Sequence, residues 1–205
     1  MGNEVKCVVR VGKQKARGKA LLETAELLFR SEDGALRLKF GFAEIKSLDA
    51  AAGELRVQGP EGAAIFELGA NAAKWREKIL HPKTRMEKLG VPPGAAVGLI
   101  GMLEDDFLAE LRAITKNVSK DKIAAGAEVI FFAAPASKDL SQLVKLAKIL
   151  KGAAALWIVY PKGQKEIREN DVIAAGRNAG LKDVKVVGFS PTHTALKFVI
   201  PVEKR

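Results

Sequence analysis

The chain has 205 residues, of which 48 % are apolar and 28 % are charged; this composition supports a packed core and excludes a disordered chain. The apolar stretch over residues 152–161 is shorter than the roughly 20 residues that cross a bilayer. The formal net charge is +10, but basic and acidic residues are interleaved, so we interpret the charge as a solvated surface rather than a nucleic-acid or membrane interface.

The first part of the chain predicts an antiparallel β-domain closed by one helix. Short apolar or alternating segments are separated by turn signals such as Gly34 and Gly53, which is typical of a meandering sandwich or barrel. A helix is predicted over residues 71–80, because Asn71 is a good N-cap and Trp75 lies on the apolar face. The predicted strands cover residues 6–11, 20–23, 26–30, 36–40, 45–49, 54–58 and 64–68.

A basic loop is predicted between the first two strands, over residues 12–19. Its four cations are Lys13, Lys15, Arg17 and Lys19. Converging Lys and Arg side chains bind phosphate groups, so the loop is a candidate site for an anion or an acidic lipid. A solvated hairpin edge is the simpler interpretation.

A domain boundary is predicted where prolines and glycines cluster, over residues 81–94. Proline cannot donate to a β-ladder and disfavours helix at the residue before it. We therefore predict a first domain over residues 1–80, a linker over residues 81–94 that holds a short helix near residues 84–89, and a second domain over residues 95–205.

The second domain predicts alternating strands and helices. Its continuous apolar runs are typical of strands buried on both faces of a parallel sheet. This order, closed by a hairpin, predicts a Rossmann-like three-layer domain with an antiparallel edge. The predicted strands cover residues 95–101, 112–117, 128–134, 153–160, 184–189 and 194–200, and the predicted helices cover residues 137–151 and 165–179.

These segments resemble known families. A strand meander closed by one helix, with Trp75 on its inner face, resembles the pleckstrin-homology-like fold. Residues 140–161 and 180–201 resemble the second half of the S-adenosylmethionine-dependent methyltransferase fold. The segments KLGVPPGAAVGLIG, ALWIVYPKG and GLKDVKVVGFS resemble a bacterial family catalogued as domain of unknown function 3052. This family is uncharacterised, so the resemblance implies a fold and no function.

The methyltransferase resemblance implies a cofactor site that is degenerate in this sequence. Such a site needs a glycine-rich turn after the first strand and an acidic residue at the end of the second. Gly98 and Gly101 supply only part of the turn. The predicted second strand ends at Asn117, and a neutral amide binds ribose hydroxyls more weakly than a carboxylate does. We therefore expect no cofactor, with S-adenosylmethionine as the alternative.

Two more candidate residues lie at the predicted carboxyl edge of the sheet. Tyr160 and Lys162 end a predicted strand, and open α/β sheets bind ligands at that edge. His193 is interpreted as a turn residue at the far sheet edge. No serine or cysteine has a base at a recognisable spacing, so no catalytic residue is assigned.

The few cysteines and histidines, together with the first residues of the chain, limit the chemistry and the cellular location that we expect. Cys7 is the only cysteine, and His81 and His193 lie far apart, so neither a disulfide nor a metal site is expected. Residues 1–19 lack the apolar centre of a signal peptide, and we expect a cytoplasmic protein without a transmembrane segment.

Three functions stay open at this point. The favoured one is a non-catalytic adaptor or binding protein, with a protein partner and a degenerate methyltransferase-like domain. The second is a methyltransferase with an atypical cofactor pocket. The third is an anion-, lipid- or nucleic-acid-binding module that uses the basic loop; nucleic acid and acidic lipid are not the favoured partners.

Overall fold

A computed structural model describes residues 3–205 of the chain. The chain divides into two compact units, one that ends at Lys83 and one that spans Thr84–Arg205. Each unit has its own hydrophobic core.

The first unit is a curled antiparallel sheet with one helix. Its strands are β1 (Asn3–Val11), β2 (Gln14–Leu22), β3 (Glu26–Ser31), β4 (Arg37–Gly41), β5 (Ser47–Ala51), β6 (Glu54–Gly59) and β7 (Gly62–Glu67), and its helix is α1 (Asn71–Leu80). The strand order is β4-β3-β2-β1-β7-β6-β5. The central strand β1 pairs with β2 along its whole length and with β7 over Val8–Arg10.

Aromatic side chains fill the concave side of this sheet. Phe29 and Phe40 each contact Phe66 edge-to-face, with ring centroids 6.2 Å apart. Trp75 on α1 is almost fully buried, and α1 packs against β5 and β6. The helix predicted over residues 71–80 is confirmed, because its apolar spacing matches the face that it buries.

The predicted basic loop over residues 12–19 is wrong as a loop. β1 ends at Val11 and β2 begins at Gln14, so only two residues form the turn. Gly12 adopts a left-handed φ of 55°, which suits the tight turns that match strand twist. Along β2, small residues such as Ala20 face the core, while the cations alternate with them on the outer face.

The second unit is a Rossmann-like α/β unit. Its helices are α2 (Arg85–Leu89), α3 (Asp105–Ile114), α4 (Leu143–Ile149) and α5 (Glu169–Asn178), and its strands are β8 (Val97–Ile100), β9 (Val118–Lys120), β10 (Val129–Ala133), β11 (Ala155–Pro161), β12 (Lys182–Gly188) and β13 (His193–Val199). Strands β9, β8, β10 and β11 are parallel neighbours in that order. The last strand, β13, lies antiparallel between β11 and β12.

Alternate residues of β8, β10 and β11 face opposite layers, which is why these three strands are apolar throughout. Phe131 and Trp157 pack on one face with Phe107 of α3. Phe132 and Ile158 pack on the other face with residues of α4 and α5. The sheet therefore has a helical layer on each side, as the apolar runs predict.

The second strand of this unit differs from the prediction. Residues 112–114 belong to α3, and the strand begins later, at Val118. The helix extends because Phe107 and Leu111 are buried at a spacing of four residues and because two acidic residues stabilise its first turn. The Thr115 hydroxyl then donates to the Ala95 carbonyl oxygen at 2.8 Å and connects the end of the helix to the chain before β8.

Two other segments also depart from their predicted form. The helix expected over residues 137–151 is a 3₁₀ helix over Ser137–Gln142 followed by α4. Within the segment predicted as a linker, α2 is held by a capping box at Thr84, and Met86 and Leu89 are buried in the core of the second unit. No helix within residues 3–205 is both long and apolar enough to cross a membrane.

We expect Gly176→Ala to destabilise the protein although alanine is the better helix former. A Cβ at Gly176 would lie 2.1 Å from Cε1 of the buried Phe198 ring. Propensity favours alanine by about 1 kcal/mol, whereas overpacking costs about 1–3 kcal/mol. We expect urea unfolding to show a net loss of about 1 kcal/mol in the free energy of unfolding.

The exposed Ala174 on the same helix provides the control. Ala174→Gly should lower the free energy of unfolding by about 1 kcal/mol through helix propensity alone. A gain in stability for Gly176→Ala would contradict the packing of α5 against β13.

Candidate functional site

A cavity opens at the carboxyl edge of the second sheet, where the direction of sheet growth reverses. From β8 the chain first adds β9 on one side and then β10 on the other. In open α/β sheets, ligands bind in the crevice at such a switch point. The cavity measures about 420 Å³ and is lined by residues that follow β8 and β10 and by the adjacent ends of β11 and β13, a size suited to a small molecule.

The second unit has a larger cavity, of about 650 Å³, at the other edge of the sheet. It is lined by the segments that precede β10 and β11, including residues 123–128 and 153–154. Loops at the amino edge of parallel strands are not where these sheets bind ligands. The carboxyl-edge cavity is therefore the candidate site, and we call it the edge pocket.

The walls of the edge pocket are mostly apolar. Ile100, Leu103, Phe132, Val159 and Phe189 line it. Such walls bind a flat or aliphatic ligand through the hydrophobic effect, while a few polar groups fix its orientation.

Gly101 shapes the pocket floor directly after β8. Its φ is 79°, a left-handed conformation that favours glycine. A Cβ at this position would lie 3.2 Å from the Cβ of Ala133 and 3.3 Å from its carbonyl oxygen. A larger residue would therefore crowd the space between the ends of β8 and β10.

A polar cluster centred on Glu104 forms one side of the edge pocket. Glu104 Oε1 accepts hydrogen bonds from Ser190 Oγ at 2.6 Å and from Thr192 Oγ1 at 3.3 Å. The same oxygen lies 2.9 Å from His193 Nδ1. Because a carboxylate only accepts, this contact places a proton on Nδ1, and in the neutral imidazole Nε2 is then the acceptor.

Arg85 supports the polar cluster from behind. Its Nη1 lies 3.6 Å from Glu104 Oε2, and its Nη2 lies 2.9 Å from both Asp106 Oδ2 and Glu110 Oε1. Its guanidinium also lies 5.3 Å from the ring centroid of Phe189, within cation–π range. Arg85 therefore ties α2 to the loop after β8.

The pKa values of Arg85 and Asp106 shift in the directions expected for oppositely charged neighbours. Burial lowers the pKa of Arg85, but its hydrogen bonds to Glu110 and Asp106 outweigh burial and raise the pKa. Burial raises the pKa of Asp106, but the Phe107 N–H and Arg85 outweigh it and hold the pKa below its usual value. Both ions therefore stay charged near neutral pH.

A carboxylate does follow the second strand. Asp121 comes directly after β9, and its N–H donates to the Leu99 carbonyl oxygen at 2.8 Å. Asp121 is exposed, at the carboxyl edge beside β8. It stands 121 − 101 = 20 residues after Gly101, the separation at which nucleotide-binding sheets present an acidic residue to ribose. The sequence predicts this strand over residues 112–117, without a carboxylate at its end. That expectation is wrong, because the strand covers Val118–Lys120 instead.

The structure separates the residues predicted to bind a cofactor. Gly98 is buried within β8, and a Cβ there would lie 3.3 Å from the side chain of Ile123. Asn117 lies at the opposite, amino edge, where its carbonyl oxygen accepts from the Val97 N–H at 2.9 Å. Of the predicted set, Gly101 alone lines the edge pocket.

Tyr160 and Lys162 line a separate shallow cavity. The Tyr160 hydroxyl donates to Glu169 Oε2 at 3.3 Å, and burial, followed by the Glu169 charge, raises the pKa of Tyr160. Lys162 Nζ donates to the Ser190 carbonyl oxygen at 2.5 Å. Tyr160 therefore connects β11 to the start of α5, and Lys162 holds the loop before β13.

His193, by contrast, was missed as a site residue. It begins β13, which lies inside the sheet beside β11, and it lines the edge pocket. The only signal in the sequence is a histidine in the terminal hairpin, which does not show which strand the hairpin pairs with.

The four predicted anion-binding residues lie on the first unit. Lys15 lies 3.6 Å from Glu67, and Lys19 lies 2.9 Å from Glu4. Lys13 lies in the turn, and Arg17 projects from the outer face of β2. In the described part of the chain, no three His, Cys, Asp or Glu side chains are grouped as a metal site requires.

Comparisons with known proteins give distant structural likenesses. No protein-family model and no curated protein matches the chain. It is similar to an S-adenosylmethionine-dependent methyltransferase from Aquifex aeolicus (15 % identity, 57 % of this chain and 87 % of that chain, TM-score 0.46). It is also similar to a TehB-like S-adenosylmethionine-dependent methyltransferase from Corynebacterium glutamicum (12 % identity, 63 % and 96 %, TM-score 0.40). The C-terminal domain of an unknown protein from Leishmania infantum matches with 13 % identity over 38 % of this chain and 78 % of that chain, at a TM-score of 0.34.

We expect Glu104→Gln to loosen the edge pocket. The variant keeps the shape of the side chain but removes the charge that accepts from Ser190 and His193 and faces Arg85. Hydrogen bonds to a charged group are worth more than neutral ones, so the free energy of unfolding should fall by about 1–2 kcal/mol in urea.

Glu110→Gln serves as the matched control. Glu110 contacts the same arginine but is more exposed, at 46 % of its side chain against 26 % for Glu104. The free energy of unfolding of Glu110→Gln should fall by less than about 0.5 kcal/mol. Equal losses in the two variants would contradict a special role for Glu104.

Proposed function

We propose that the second unit binds S-adenosylmethionine in the edge pocket and acts as a methyltransferase with an atypical cofactor site. The observation that carries this proposal is the position of the pocket at the switch point between β8 and β10, with Asp121 at the same edge. This position is where such sheets receive a nucleoside.

The residues present fit such a ligand in chemistry and in size. Gly101 lets the backbone turn closely after β8, and the apolar walls offer a surface for an adenine ring or an aliphatic chain. The Asp121 carboxylate can accept hydrogen bonds from two ribose hydroxyls. When bound, S-adenosylmethionine supplies an electrophilic methyl group.

His193 is the residue that we assign to the acceptor. Glu104 fixes its tautomer, so Nε2 can take the proton that an acceptor O–H or N–H loses as it is methylated. The hydroxyls of Ser190 and Thr192 hold the same carboxylate and keep the imidazole in place. The acceptor we propose is therefore a small molecule with an apolar body and one ionisable hydroxyl or amine.

A non-catalytic binding domain is the competing function. Gly98 lies within β8 and only Gly101 follows it, before Met102 and Leu103, so the turn lacks a full glycine-rich cradle. A protein partner, a cytoplasmic location, membership of domain of unknown function 3052 and a pleckstrin-homology-like first unit are also proposals. The last is supported by a seven-stranded meander followed by α1.

We expect isothermal titration calorimetry to detect binding of S-adenosylmethionine to the full chain. Asp121→Asn should weaken binding about tenfold, because a charged acceptor for ribose hydroxyls is lost. Gly101→Trp should abolish binding, because its side chain would block the turn against Ala133. Asp49→Asn, an exposed site in the first unit, makes the same charge change and should bind like the unaltered protein.

Failure of the unaltered chain to bind S-adenosylmethionine would favour the non-catalytic function. Binding that survives Gly101→Trp would move the ligand away from the edge pocket.

We expect His193→Gln to separate cofactor binding from methyl transfer. Affinity for S-adenosylmethionine should change less than about threefold, whereas transfer of a radiolabelled methyl group to a panel of phenols and amines should fall about 10²-fold or more. His81→Gln, which alters an exposed histidine of the first unit, should leave both unchanged. Full transfer by His193→Gln would exclude this histidine as the proton acceptor.

A further inference from the structure

Four basic side chains form a row across the outer face of the first sheet. Strand pairing places Lys6 opposite Lys19, Lys19 opposite Arg30, and Arg30 opposite Arg37. Directly opposite residues of antiparallel strands lie on the same face, and all four residues are exposed. We call these four residues the cation row.

The cation row is unfavourable for the fold itself. Like charges directly opposite each other on neighbouring strands are destabilising, and the row has three such pairs in succession. Within residues 3–205, only Lys19 of the row forms a salt bridge, with Glu4 at 2.9 Å. Other cations of the same sheet are matched, as Lys39 is with Glu26 at 2.8 Å.

The shape of the row defines the anion that would neutralise it. Neighbouring strands lie about 4.8 Å apart, so four strands place the charges along a line of roughly 14 Å. Exposed Arg17 adds a fifth cation on the same face, two residues from Lys19 along β2. A single phosphate reaches one or two of these groups, whereas an extended chain of phosphates reaches them all.

The surroundings of the row favour a soluble polyanion over a membrane. Surfaces that bind lipid combine cations with apolar side chains that insert between the headgroups. Among the described residues of the first unit, Leu80 is the only large hydrophobic side chain that is exposed, and it lies on α1. The rings of Phe29, Phe40 and Phe66 are buried in the core of this unit and cannot stack on bases.

We propose that the cation row binds the phosphodiester backbone of a nucleic acid without reading its sequence. Contacts to phosphates supply affinity and salt dependence but no base recognition. This inference does not rest on the methyltransferase proposal, since it uses no residue of the second unit.

Fluorescence anisotropy of the full chain with a labelled oligothymidylate and with a labelled DNA duplex tests the proposal. The triple variant Lys6→Gln, Arg30→Gln and Arg37→Gln should bind at least about tenfold more weakly and should lower the slope of log affinity against log salt by about 2. The control triple Lys46→Gln, Lys74→Gln and Lys83→Gln removes the same charge from exposed positions of the first unit. The affinity of this control variant should stay within about twofold of that of the unaltered chain.

A single variant distinguishes a binding role from a structural one. Arg30→Glu puts an acid between Lys19 and Arg37, so the melting temperature should rise by about 2 °C while oligonucleotide binding weakens. A variant that merely damaged the fold would lower both the melting temperature and the affinity for the oligonucleotide.

Three outcomes would overturn the proposal. The first is that the unaltered chain binds neither oligonucleotide at low salt. The second is equal loss of affinity in the row and control triples. The third is binding to phosphatidylserine vesicles that depends on the row while the oligonucleotides fail to bind.

Discussion

The second unit depends on the reversal of sheet growth between β8 and β10. Two parallel strands whose following segments leave in opposite directions cannot close over their shared edge, so a crevice forms there. In this protein Gly101 and Ala133 come close at the base of that crevice. The hairpin of β12 and β13 then brings His193 to its rim. These two features of the topology bring Glu104 and His193 together in the edge pocket.

The polar cluster of the edge pocket combines fold stability with chemistry. Glu104 satisfies two hydroxyls and an imidazole, and Arg85 holds it from the other side. A partly buried carboxylate with so many partners is favourable only while all of them are in place. The contacts that give His193 a defined tautomer therefore also hold the loop after β8 in place. We infer that the geometry of the site is set before any ligand arrives.

Elements with strong periodic patterns could be predicted from the sequence. The bounds of helix α1 can be predicted because Trp75 and Ile79 repeat at helical spacing. The N-cap prediction is wrong, however, because Asn71 is the first helical residue and Ala70 precedes it without a side-chain cap. The parallel strands β10 and β11 were predicted from continuous apolar runs. Such segments carry their own signal, since local propensity and burial agree.

The features that escaped prediction depend on weak local signals or on long-range pairing. Strand β9 has three residues and no buried side chain. The sequence therefore does not predict where this strand lies or that Asp121 follows it. The place of β13 between β11 and β12 is set by pairing across the sheet, which sequence periodicity cannot report. The cation row likewise exists only in the register of four strands; along the chain, its members are separated by many residues of mixed charge.

The edge position of β9 sets how much Asp121 can contribute to a bound ligand. No described strand lies beyond β9, and Asp121 is exposed, so water competes for its carboxylate and salt screens it. The walls of the edge pocket, by contrast, are mostly apolar. Under the function that we propose, most of the binding free energy comes from burial of the ligand's apolar surface, and Asp121 selects among ligands of similar shape. Under this proposal the site tolerates a shortened sheet and an incomplete glycine turn, because neither of these supplies the larger part of the affinity that we expect.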